Sequence, residues 1–199
     1  LAGSACAEQS AAVRVGDESI SEKAMLDELD AWAGNETLIP EGQVTGELGD
    51  DSYIQPFVGS IVQQRVVFTL YEQLFADEGL ELTPGDRDLG RQQLDSEFGP
   101  QGTDGFPDDY VEDITDTAAK FVRLQEELGS EDLQSALIEA ADKADIEVSS
   151  RFGSWDNDAF VAGFQSSQGQ QAPPALVPPQ APLPSPDAQQ GADLGLPAG

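Results

Sequence analysis

Residues 56–75 read PFVGSIVQQRVVFTLYEQLF, the densest apolar run in the chain. As a helix it spans roughly 30 Å. Ile61, Val62, Val66, Leu70 and Leu74 share one side, and Phe57, Phe68, Tyr71 and Phe75 add aromatic bulk around it. An apolar arc this wide implies burial against several partners, so the stretch is expected to be the central helix of a small helical domain. Gln63, Gln64 and Arg65 interrupt it, and the longest uncharged run around it, Ser52 to Gln64, falls short of the ~18 residues of a membrane span.

The flanking segments supply what packs on this helix. Upstream, Ala12-Val13-Arg14-Val15 alternates like a half-buried strand, Gly16-Asp17 suits a tight turn, and Glu18-Ser19-Ile20 returns. A lone hairpin is marginally stable and needs a further strand or a helix. Ser21 is placed to cap a helix, with Ile20 and Met25 as a hydrophobic staple. Met25, Leu29 and Trp32 line one face of that helix; Asp27, Glu28 and Asp30 read as solvated. Gly34-Asn35 ends it, and residues 35–52 read as loop. The carboxylates Glu41, Glu47, Asp50 and Asp51 lack calcium-loop spacing.

Downstream, Gly79 stops the central helix. Thr83-Pro84-Gly85-Asp86 opens another, whose apolar positions are Leu89, Leu94 and Phe98, with Gly90 as a weak point. The turn-rich 99–106 leads to Asp108-Asp109, which suits a dipole-stabilised helix start better than a metal site. A period of 3.6 then runs through Tyr110, Val111, Ile114, Ala118, Phe121, Val122 and Leu128. Gly129 stops that helix. Ser130 is expected to cap the next, whose face is Leu133, Leu137, Ala140, Ala141 and Ala144. Asp145 to Ser149 alternates as a strand, and its simplest partner is the N-terminal hairpin. Phe152 and Trp155 are expected to pack back on the domain. From Gln165 the chain is rich in proline and poor in large apolar residues, and reads as a disordered tail in which PALVPPQAPLP suits polyproline II.

The fold class expected is therefore mainly α with a small antiparallel sheet, joining the N-terminal hairpin to a C-terminal strand. The organisation is 1–11 tether, 12–160 helical domain and 161–199 Pro/Gln/Ala-rich tail. Composition narrows the function. Of 199 residues 38 are acidic and 9 basic, histidine is absent, and the net charge is −29. Such a surface is a poor partner for nucleic acid, and histidine-based catalysis and zinc binding are excluded. No recognisable catalytic acid pair or phosphate-binding glycine loop stands out, so neither an enzyme nor a cofactor is expected.

The single cysteine, Cys6, follows small residues in LAGSAC. That context resembles a bacterial lipobox, with Gly3 where an aliphatic residue is usual. On that resemblance Leu1 to Ala5 are the remnant of a cleaved signal peptide, and Cys6 is the acylated residue of a lipoprotein, anchored at the outer face of the cell membrane. AVRVGDESIS followed by a capped helix resembles the opening of SurA- and PrsA-type extracytoplasmic chaperones, where a strand-turn-strand reads VNGEPIS. ADEGLELTPGD resembles that family's junction between a long helix and a Thr- or Ser-capped one. ADIEVSSRFGSWD resembles the DVxVDPRYGTWD ending of actinobacterial lipoproteins with a SurA-type N-terminal domain, Ser150 standing in place of proline. The likeness covers about residues 12–156. It implies a helical domain that binds unfolded or nascent secreted polypeptides. Relatives carry a prolyl isomerase (parvulin) insert before the final helix; here only Gly129-Ser130 stand at that point, too few for a compact domain. Tyr53, Phe57, Phe68, Tyr71, Phe75 and Phe121 are the candidate client-binding residues. An adaptor lipoprotein recruiting a partner through its tail or its Phe152–Trp155 segment is the alternative.

Overall fold

The computed structural model describes residues 10–39, 44, 53–99, 101–165 and 176–177. Cys6, most of the 35–52 loop and most of the tail lie outside the described residues. The described chain is mainly helical with a small antiparallel sheet. Strands β1 (Ala11–Val15) and β2 (Glu18–Ser21) form the hairpin. Helices α1 (Glu22–Ala33), α2 (Gln55–Asp77), α3 (Pro84–Phe98), α4 (Asp108–Leu128) and α5 (Ser130–Lys143) follow, then β3 (Ile146–Val148), β4 (Ser154–Trp155), α6 (Asn157–Gln165) and β5 (Leu176–Val177).

The two ends of the domain meet. The sheet order is β2-β1-β3, with Val13 opposite Val148 and Val15 opposite Ile146 in antiparallel register. Val13 and Val15 are fully buried, while Arg14 faces out and pairs with Glu147 at 2.8 Å. The alternation read from the sequence thus sets which face of the sheet covers the core. Gly16, at φ +59, makes the hairpin turn, and its amide donates to the Asp145 carbonyl at 3.1 Å.

Helix starts and stops follow local chemistry. The Ser21 hydroxyl accepts from the Ala24 amide, and Thr83 forms a full capping box with Asp86. Pro56 lies in the first turn of α2, where its missing N–H costs nothing. Gly129 takes φ +83 and is itself the N-cap of α5. Ser130 is therefore not the cap expected; it is the first helical residue, and its hydroxyl accepts from the Gln125 side chain at 3.1 Å.

The main core gathers Val13, Val15, Met25, Leu29, Ile61, Val62, Val66, Leu70, Leu133 and Leu137 around α2. A smaller core of Leu94, Phe106 and Ile114 joins α3 and α4. Glu28 corrects an expectation: it is 4% exposed rather than solvated. Its carboxylate accepts from Arg65 Nε of α2 at 2.8 Å and from the Tyr110 hydroxyl of α4 at 3.1 Å. Its burial is tolerated because both partners come from neighbouring helices. Two other differences stand out in α3. Leu89 is 38% exposed and packs in neither core. Gly90 is buried at the crossing with α4, where it is a point of close approach rather than a weakness. At the other end, α6 continues past the expected tail boundary at residue 161 to Gln165, and Leu176–Val177 pair as a strand with Ser154–Trp155 instead of standing apart.

Candidate binding groove

Three helices each turn a short stripe toward one cavity of about 430 Å³. From α2 come Gln64, Val67, Phe68 and Tyr71; from α4 come Ile114, Thr117, Ala118 and Phe121. Both sets step by three and four residues, the spacing of a single helical face. Gln93, Leu94, Glu97 and Phe98 of α3 form the second wall, and Trp32 at the end of α1 closes one side. Leu94 and Ile114 are buried and make the floor; Phe68, Tyr71, Phe98 and Phe121 are half-buried and leave ring surface open. The ring pairs Trp32–Phe98, centroids 5.8 Å apart, and Tyr71–Phe121, 5.3 Å apart, brace the walls.

The groove is a window in a longer aromatic stripe. Phe57, Phe68 and Phe75 point in nearly the same direction round α2, because their separations approximate whole turns. Phe57 is 8% and Phe75 7% exposed, both sealed into the main core, while Phe68 between them is left half-open. Of the six aromatic candidates, Phe68, Tyr71 and Phe121 line the cavity, whereas Tyr53, Phe57 and Phe75 do not. Tyr53 packs on Phe57 with centroids 5.6 Å apart, and its hydroxyl donates to the Asp30 carboxylate. Trp32, Leu94, Phe98 and Ile114 were not among the candidates. The sequence marks them only as apolar positions of α1, α3 and α4.

A polar chain runs behind the Trp32 wall. Trp32 Nε1 donates to the Tyr110 hydroxyl at 2.6 Å, Tyr110 donates to Glu28, and Arg65 bridges Glu28 to Asp113, 3.1 Å away. Burial pushes the Glu28 carboxyl above its usual range, with Arg65 and Tyr110 opposing it. Burial and then the Glu28 charge likewise raise the Tyr110 phenol, which keeps its proton for donation. In the groove itself, burial pushes the Tyr71 phenol up to about 12, so it stays neutral at any ordinary pH. Glu97 is the charged side chain among the described lining residues. No described cluster of three or more His, Cys, Asp or Glu side chains is placed to hold a metal ion. No described helix is long and apolar enough to cross a membrane.

The lining is thus suited to holding apolar groups by burial and ring contact, with one carboxylate at the rim. Comparison of the chain with models of protein families, with curated proteins and with solved structures finds no match.

Proposed function

We propose that this chain is a non-enzymatic chaperone-like lipoprotein that holds apolar segments of unfolded or nascent secreted polypeptides in the groove between α2, α3 and α4. The observation that carries the reading is the half-open Phe68–Tyr71–Phe121 surface over a buried Leu94–Ile114 floor. Its volume, about 430 Å³, lies in the roughly 300–1,000 Å³ range of pockets that bury drug-sized ligands. That suits a few side chains of an unfolded chain and not a folded surface. Burying one large apolar side chain contributes about 2 kcal/mol, so two or three give a weak, reversible hold. A surface with net charge −29 and Glu97 at the rim favours clients with basic residues beside the apolar ones.

The resemblance of residues 12–156 to SurA- and PrsA-type domains supports the same reading and, with it, a location outside the cytoplasm. An acyl chain on Cys6 anchors it to the outer face of the membrane. In the adaptor alternative's Phe152–Trp155 segment, Phe152 is 3% exposed, whereas Ser154 is exposed and Trp155 half-buried. The test is light scattering from a reduced, unfolded secreted protein. Suppression at a few-fold molar excess of the chain is expected; unchanged aggregation at tenfold excess would overturn the proposal.

A further inference from the structure

The short β4 strand has a partner drawn from far along the chain. Leu176–Val177 lie antiparallel to Ser154–Trp155, with Val177 opposite Ser154 and Leu176 opposite Trp155. We infer that the β4 edge is a peptide seat for extended apolar segments bracketed by proline on other polypeptides, and that Leu176–Val177 is its resident occupant in cis.

Host and guest differ in how firmly they are held. The host edge is fixed by the domain. Phe152 is buried, and the Phe152 and Gly153 amides both donate to the Ser149 carbonyl, at 2.8 and 3.2 Å. Gly153, at φ +139, turns the chain out of that bend into β4. Trp155 packs against the buried Phe160 with centroids 5.1 Å apart, and its Nε1 donates to Asn157 Oδ1 at 3.3 Å. Asn157 in turn donates to Asp142 of α5 at 3.0 Å. The edge is therefore in place before any guest arrives, which lowers the ordering cost of binding.

The guest is bounded by its own sequence. Pro173 and Pro174 precede Ala175-Leu176-Val177, and Pro178 and Pro179 follow. Proline has no N–H to give a ladder, so the sequence limits a pairing segment to the three residues between the two proline pairs. A two-residue ladder makes few hydrogen bonds, and the Leu176–Val177 backbone also comes near α2; a guest held this way is displaceable. The same brackets define the partner class. It is an extended segment with two or three β-favouring residues between prolines, added as a strand. The seat is separate from the aromatic groove, none of whose lining residues belongs to β4.

The test uses the full chain and a fluorescent peptide with the sequence of residues 171–181. In the doubly substituted chain Leu176→Pro, Val177→Pro the cis guest loses both N–H donors and vacates the seat. Peptide anisotropy should show at least tenfold tighter binding to this chain than to the unsubstituted one. A peptide carrying the same two prolines should bind neither. Amide exchange at residues 153–156 should quicken in the substituted chain and slow again when peptide is added. Equal affinity for both chains, no binding to the vacated chain, or binding without renewed protection at 153–156 would each overturn the inference.

Discussion

Gly90 of α3 lies so close to Thr115 of α4 that a Cβ on Gly90 would stand 2.6 Å from the Thr115 carbonyl oxygen. That Cβ would also stand 2.7 Å from the Ala119 amide nitrogen. Only a residue with no side chain lets the two backbones approach this far, and the approach sets one wall of the groove against its floor.

Gly90→Ala should therefore destabilise the domain. In an isolated helix the change gains about 1 kcal/mol of propensity. Here the added methyl meets backbone, which cannot swing aside, and overpacking of this kind costs about 1–3 kcal/mol. Urea unfolding should show a lower midpoint with little change in slope. A raised midpoint would mean that α3 and α4 are further apart than described.

Removing Glu28 leaves the Arg65 guanidinium, 19% exposed, with Asp113 as its remaining carboxylate partner. Breaking one side of a buried pair is costly, on the order of 3–5 kcal/mol, and Asp113 should keep the loss near the lower end. Glu28→Ala measured by urea unfolding checks this. The same variant deprives the Tyr110 hydroxyl of its acceptor, so Trp32 emission should also shift as its partner is freed.

Asn35 joins the end of α1 to the loop before α4. Its Nδ2 donates to the Gly102 carbonyl at 2.8 Å, and its Oδ1 accepts from the Thr37 and Leu38 amides at 3.2 and 3.3 Å. The residue is fully buried, so Asn35→Ala strands these backbone groups at about 1–3 kcal/mol. Limited proteolysis should then cut within residues 99–106, which the unsubstituted chain should resist.

The capping box predicts a pH dependence. Hydrogen bonds from the Thr83 amide and hydroxyl hold the Asp86 carboxyl below its ordinary value of 3.8. A folded-state pKa that is depressed adds stability above the unfolded value, and that stability is lost as pH falls through the folded one. Thr83→Ala should cost about 1 kcal/mol at neutral pH. The gap between the two chains should narrow below about pH 4, leaving the part due to the hydrogen bond from the Asp86 amide to the Thr83 hydroxyl. NMR titration should show the Asp86 pKa moving upward in the variant.

Much of this fold is legible from local signals. Ser21 and Thr83 announce helix starts, Gly79 and Gly129 announce ends, and the alternation at Val13–Val15 and Ile146–Val148 identifies two strands that then pair. What local signals cannot carry is the identity of the neighbour. Glu28 reads as solvated until Arg65 and Tyr110 arrive from other helices. Gly90 reads as a flaw because helix propensity contains no second helix. Phe57, Phe68 and Phe75 are equivalent on the face of α2, and only the covering at each end decides that the middle one is left open. Three of the six aromatic candidates, Phe68, Tyr71 and Phe121, line the cavity, and the choice among the aromatics depends on tertiary contacts.

The groove reading is tested most directly by plugging it. Ala118 lines the cavity from α4 with a small side chain, and Ala118→Trp places an indole in the space a client would fill. Leu89→Ala, on the outer side of α3, serves as the control. Fluorescence anisotropy with a labelled peptide carrying two phenylalanines flanked by lysines reads binding in each chain. At least fivefold weaker binding by the plugged chain, with the control unchanged, is the predicted result. Undiminished binding by a folded Ala118→Trp chain, or no binding by the unsubstituted one, would contradict it.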